Sequence, residues 1–197
     1  MFETISFVHL LVVISAFVSL VGGYAYVRDT LKGETKPNRI SWGMWALAPL
    51  VGTAAAVGAG ADLWTVVRIF LAGFVPLLVF ISSFFNKDAY WELNRFDVTC
   101  GALSLLALMV WGFAGSPEMA ILLAAAGDGF AVIPTARKAW KYPETETSTV
   151  YFTGLISTLI ILPSIPVWNI ANSSFQIYLL LSNTIILIAI YRKRVFG

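Results

Sequence analysis

Along the chain, uninterrupted apolar runs alternate with short polar breaks. The runs cover 5–27, 40–61, 64–85, 98–114, 117–136, 148–168 and 175–191. Most have the roughly 20 residues that an α-helix needs to cross the hydrocarbon of a bilayer. Strands of a membrane barrel would alternate apolar and polar positions over about 10 residues, whereas these runs are continuous. The pattern predicts seven transmembrane helices, the fourth and the last being the shortest, in an all-α integral membrane protein. The opening MFETISFVHLLVVISAFVSLVGGYAYV has no Lys or Arg ahead of its apolar run and no small-x-small cleavage pattern after it. It therefore reads as a retained first helix rather than a signal peptide.

The polar breaks orient these helices. Of the 13 Lys and Arg residues, all but Arg68 fall in the first, third and fifth connections or in the C-terminal tail. Arg28, Lys32, Lys36 and Arg39 lie in the first, Lys87 and Arg95 in the third, and Arg137, Lys138 and Lys141 in the fifth; Arg192, Lys193 and Arg194 form the tail. Cytoplasmic loops are the ones enriched in Lys and Arg. The expected topology is thus N-terminus outside and C-terminus cytoplasmic, with a prokaryotic inner membrane as the expected location. Trp64, Trp91, Trp111, Trp140 and Trp168 fall at the ends of predicted spans, where amphipathic rings favour the interface.

Composition narrows the chemistry. Hydrophobic residues make up 58% of the 197 and charged residues 12%, with a mean hydropathy of +0.80; soluble domains carry about twice that charged fraction. A net charge of +2, held in short loops, does not suggest a nucleic-acid partner. A single cysteine, Cys100, excludes an intrachain disulfide and a cysteine-cluster metal site. With His9 as the one histidine, zinc, redox and Ser-His-Asp chemistry have almost no raw material. The chain reads as a non-enzyme with no cofactor.

Two segments repeat a layout: KPNRISWGMWALAPLVG at 36–52 and RKAWKYPETETSTVYFTGL at 137–155 each lead a basic, proline-containing turn into an aromatic and apolar helix. At an offset of 109 residues, Arg28 meets Arg137, Lys32 meets Lys141 and Trp42 meets Tyr151. With helix 4 as divider, helices 1–3 and 5–7 have the same orientation, a 3+1+3 arrangement of two parallel three-helix bundles. The expected divisions are 1–88 for the first bundle, 89–115 for a cytoplasmic loop and linker helix 4, and 116–197 for the second bundle.

This layout resembles the SWEET, SemiSWEET and PQ-loop superfamily of membrane transporters. The local likeness is best in AAAGDGFAVIPTARKAWKYPETETSTVYFTGLIST, a helix with a proline near its end, a basic turn, and a polar stretch opening the next helix. Thr135 follows Pro134 where the family usually has Gln, and Gly22, Gly23 and Tyr24 stand where the first repeat's proline is expected. The resemblance implies parallel repeats with a solute site between them near mid-depth. Sugar-transporting members use an asparagine in each repeat's third helix; Asn183 matches in helix 7, and helix 3 has none before its end.

Several residues are candidates for the site. Asp128 lies nine residues before Arg137 and ten after Glu118, near the expected midplane, where an acidic side chain seeks a cavity or a partner. It reads as a solute acceptor, a proton-coupling carboxylate, or a structural group satisfied by a neighbouring helix. Asn183 is nine residues before Arg192, at matching depth, and serves either a ligand or helix–helix contact. The expectation is that Asp128 and Asn183 reach one another in a central cavity. Trp42 and Trp45 project from neighbouring positions on helix 2, as a stacking surface for a solute or as part of the interfacial belt. Pro49, Pro76, Pro134 and Pro163 fall inside predicted spans, as hinges or as static kinks. Gly52, Gly58 and Gly60 suggest close helix approach, and Asp62 with Arg68 is a candidate outer gate.

The functional expectation is a transporter moving a small, sugar-like polar solute by alternating access, with that solute and the bilayer as partners and a homo-oligomer left open. A proton-coupled amino-acid, cation or vitamin transporter on the same fold is the first alternative. A seven-helix receptor or sensor is the second.

Overall fold

The computed structural model describes residues 6–61, 63–165 and 167–195, and its regular elements are all helical. They are α1 (Phe7–Lys32), α2 (Arg39–Gly58), α3 (Leu63–Ser82), α4 (Arg95–Trp111), α5 (Pro117–Lys141), α6 (Thr149–Ile161) and α7 (Ile170–Val195), with single 3-10 turns after α3, α5 and α6. Local chemistry sets their ends. Ser6 and His9 form a capping box at the start of α1, and Gly33 closes that helix at φ +81°, a left-handed conformation that costs glycine nothing. The Asn38 side chain accepts from the amides of Ile40 and Ser41 to start α2, and Asn94 with Asp97 builds a second capping box under α4.

Among the described residues five helices are long and apolar enough to cross a membrane: α1, α2, α3, α5 and α7. With 17 residues α4 falls just short, and α6, with 13, spans about 20 Å at 1.5 Å per residue. The sequence expectation of a short last helix is corrected, since α7 has 26 residues. Likewise α1 and α5 run on to Lys32 and Lys141, beyond the expected ends at 27 and 136. Hydropathy marks where hydrocarbon ends, whereas Lys and Arg are good helix formers and favour a helix C-terminus. Pro163, expected inside a span, lies in the 3-10 turn Leu162–Ser164 that follows α6. The exterior carries large apolar side chains such as Phe17, Phe113 and Leu181, exposed by 67%, 90% and 58%, as suits a protein whose surrounding solvent is lipid.

Packing follows a mirrored scheme. Helix α3 packs on both α1 and α2, and α7 packs on both α5 and α6; α1 lies against α6, α2 against α5, and α4 against α5 and, less extensively, α2. Gly22 permits the α1–α6 approach, because a Cβ there would collide with Thr153 Oγ1. The expected close approaches at Gly52, Gly58 and Gly60 do not occur: Gly58 and Gly60 face open space, and a Cβ at Gly52 would make only an ordinary contact with Ile69.

The basic connections gather at one end. Asn86 Nδ2 donates to the Leu31 carbonyl at 2.9 Å, Arg39 Nη2 to the Ser83 carbonyl at 2.7 Å, and Ser148 and Tyr191 share a hydroxyl bond of 2.9 Å. At the opposite end His9 stacks on Trp64 with ring centroids 4.4 Å apart.

Candidate functional site

The buried polar groups concentrate at the basic end, where the connection after α1 meets the connection after α5. The Lys36 amide donates to the Thr145 carbonyl at 3.0 Å, and these two residues are 109 positions apart. This is the same offset that relates the two similar segments in the sequence. The contact is reinforced on both sides. Thr147 Oγ1 donates to Asp29 Oδ2 at 2.8 Å and shares a 2.5 Å hydroxyl bond with Thr35. Lys138 Nζ donates to the Lys36 carbonyl. Asp29 and Lys138 are again 109 apart; Asp29 reaches from α1 to the connection after α5, and Lys138 from α5 to the connection after α1.

Glu146 is the centre of this clamp. Its Oε1 lies 2.6 Å from Lys138 Nζ, with the two side chains 0% and 1% exposed. Its Oε2 accepts from the hydroxyls of Tyr26 and Tyr151, each at 2.8 Å. A buried ion pair repays its desolvation only when further hydrogen bonds satisfy its remaining atoms. Here two phenols and a backbone carbonyl do so, from α1, α6 and the first connection.

Above the carboxylate lies an aromatic layer. Tyr26 is packed between Trp42, at 4.6 Å between ring centroids, and Tyr151, at 6.3 Å; Trp42 meets Trp45 edge-on at 5.1 Å. Trp42 and Tyr151 thus flank one tyrosine, and both are buried at 3% exposure. This layer contains unmet donors. The indole Nε1 of Trp45 is buried with no hydrogen-bond partner. Trp42 Nε1 is near the Tyr26 hydroxyl and has no partner at hydrogen-bond geometry. The hydroxyls of Ser41 on α2 and Thr135 on α5 are also buried and unpartnered. An unsatisfied buried polar group costs about 1–3 kcal/mol, and an indole N–H can only donate. Four such groups, three on α2 and one on α5, are left without a hydrogen-bond partner inside the protein.

The other candidates are distributed differently. Asp128 accepts from the Tyr178 hydroxyl at 2.5 Å, across the α5–α7 contact. Asn183 donates to the Leu179 carbonyl of its own helix at 2.8 Å and occupies the space that a Cβ on Gly154 would need. The two polar residues are not hydrogen-bonded to one another; Tyr178 takes the place expected for Asn183. Pro49, Pro76 and Pro134 interrupt α2, α3 and α5. The Pro49 carbonyl accepts from Thr53 Oγ1 at 2.8 Å, and Pro134 is fully buried beside Thr135. Arg68 is exposed on α3, and Asp62, its expected gate partner, lies outside the described residues.

Two surface clefts complete the picture. One of about 330 Å³ lies at the basic end between Trp91 and Asp97 on one side and Pro134, Arg137 and Lys141 on the other. A second, of about 400 Å³, runs between α2 and α4. None of Trp42, Trp45, Asp128 and Asn183 lines either.

Sequence reasoning singled out both tryptophans and passed over Tyr26, Glu146 and Tyr151 as the centre of a network. Glu146 sits in PETETST, where several acidic and hydroxyl residues look interchangeable. The one available signal was the 109-residue offset, which pairs Trp42 with Tyr151. Helices and buried polar end together define an all-helical protein of membrane type in which the connections after α1 and α5 are joined. No protein-family model, curated protein or solved structure matches the chain.

Proposed function

We propose that this protein is a divergent relative of the SWEET and PQ-loop transporters, moving a small, acceptor-rich, sugar-like solute by alternating access. In this reading all seven helices cross the membrane as two parallel bundles, α1–α3 and α5–α7, linked by α4. The mirrored packing of α3 and α7 supports it, as do the paired α1–α6 and α2–α5 contacts. The basic end is cytoplasmic by the Lys/Arg rule.

The observation that carries the proposal is the buried, unpartnered Trp45 Nε1, on a ring that meets Trp42, which in turn packs on the Tyr26 that donates to Glu146. The Glu146 network is then the closed cytoplasmic gate, and the indole layer above it is the solute's contact surface. Solute binding supplies acceptors to donors that otherwise have none, and opening the clamp releases the solute. Pro134 and Pro49 lie beside these groups on α5 and α2, where a missing backbone hydrogen bond eases bending.

A thermal-shift screen of purified protein against sugars, amino acids and vitamins tests this reading. A ligand that binds only the folded state raises the melting temperature with concentration, and sugars are expected to do so. A flat response to all three classes, with no uptake of them into proteoliposomes, contradicts transport and leaves the receptor reading in its place.

The Asp128–Tyr178 pair favours one second reading, a proton-coupled carrier of amino acids, cations or vitamins on the same fold. A carboxylate in the middle of α5 that is held by a single phenol can exchange a proton during the cycle. Asp128→Asn keeps the shape but cannot ionise. In that case it abolishes pH-dependent uptake and retains binding; unchanged pH dependence rejects coupling at this residue.

A further inference from the structure

The cleft between α2 and α4 has a feature that solute transport does not use. Both helices begin at the basic end, and their walls run away from it in the same direction. Ile40 and Leu47 line the α2 side; Val98, Ala102 and Leu105 line the α4 side, at spacings that keep them on one face. From Arg39 to Leu47 the groove is about 12 Å long at 1.5 Å per residue. Gly101 lets α4 approach Ile40, since a Cβ there would overlap that side chain.

Arg39 stands at the mouth of the groove. Its Nε donates to Ser83 Oγ at 3.1 Å and its Nη2 to the Ser83 carbonyl at 2.7 Å. The guanidinium lies 4.0 Å from the centre of the Phe84 ring and 4.9 Å from that of Tyr90. No carboxylate forms an ion pair with it among the described residues, and its Nη1 makes no hydrogen bond there. The cation is therefore fixed in place, always charged, partly buried, and without a counter-ion.

We propose that the α2–α4 groove is a phospholipid site: Arg39 holds the headgroup phosphate and the apolar walls hold one acyl chain. At the boundary of a bilayer the abundant anion is the lipid phosphate, and guanidinium matches phosphate geometry with parallel N–H donors. Charge and oil occur in the groove in the order in which they occur in a lipid. A chain in ordinary contact with the surface would exchange freely, whereas here the headgroup contact is pre-organised by Ser83 and two rings. Because α4 meets α2 only sparingly beside this groove, a lipid there acts as packing between α4 and the first three helices.

Native mass spectrometry of protein released from nanodiscs of phosphatidylethanolamine and phosphatidylglycerol tests the site. The wild type is expected to keep one phospholipid per chain after its other lipids are stripped. Ala102→Phe fills the groove from an exposed position without touching Arg39, and it should lower that occupancy about tenfold, the effect of displacing about two buried methylenes of the acyl chain. Leu106→Phe, on another exposed part of α4, should leave occupancy unchanged. Melting temperature should rise with dihexanoyl phosphatidylglycerol and not with inorganic phosphate, for the wild type and not for Ala102→Phe. Equal lipid retention by wild type and Ala102→Phe overturns the proposal. So does an equal response to phosphate, which marks a free-anion site, or loss of a dimer in Ala102→Phe, which marks a contact between copies of the chain.

Discussion

The Trp45 indole N–H is buried and has no acceptor, an arrangement that costs the solute-free protein about 1–3 kcal/mol. A solute that accepts from it recovers that energy on binding. Trp45→Phe removes the donor and keeps most of the ring. The expected result is a solute-free melting temperature equal to or above wild type, with solute affinity about tenfold lower. Thermal-shift titrations of both proteins read the two effects together; a variant that melts lower and binds equally well assigns Trp45 to packing. The Lys138–Glu146 pair behaves in the opposite way. Removing one member leaves the other as an uncompensated buried charge, so Lys138→Met and Glu146→Gln should each destabilise by about 3–5 kcal/mol. The double variant leaves neither charge behind and should recover most of that loss. Denaturation curves that show simple additivity would place the pair in solvent rather than in a sealed clamp.

Helix α1 meets α6 through Gly22, where any Cβ would overlap Thr153. Gly22→Val should therefore lower stability by about 1–3 kcal/mol through overpacking. Gly58→Ala, in open space near the end of α2, should be neutral or stabilising by about 0.5–1 kcal/mol, because alanine has the better helix propensity. Melting both proteins in the same detergent checks the contrast. That contrast also shows how far the sequence could be read. All seven helices were visible as apolar runs, and bilayer thickness accounts for the length of the five that are long enough to cross it. Their ends were not, because α1 and α5 carry Arg28, Lys32, Arg137, Lys138 and Lys141 inside helical segments that continue past the apolar stretch. Lys138 consequently looked like a solvated loop cation and is instead buried at 2% exposure. Glycines next to alanines in α2 suggested close packing, yet tight contacts fall at glycines such as Gly22, Gly23, Gly101 and Gly154, which composition does not distinguish. Asp128 and Asn183 were placed at one depth, and depth alone left open that Tyr178 would be the partner.

At the scale of the whole molecule the connections after α1 and α5 touch, Lys36 against Thr145, with Asp29 and Lys138 each reaching over to the opposite connection. Such a joint holds one end of the molecule shut while it is intact. Our central claim is that this joint is a gate between two bundles that separate as bodies. Lys32 and Lys141, at the exposed ends of α1 and α5, are suitable reporters once Cys100 has been replaced by serine. Pulsed electron-spin distance measurements between labels at these positions, in nanodiscs, test the claim directly. The intact clamp should give one short distance, and adding Glu146→Gln should populate a second, longer one as the bundles part. A single distance that is the same with and without Glu146→Gln would contradict it.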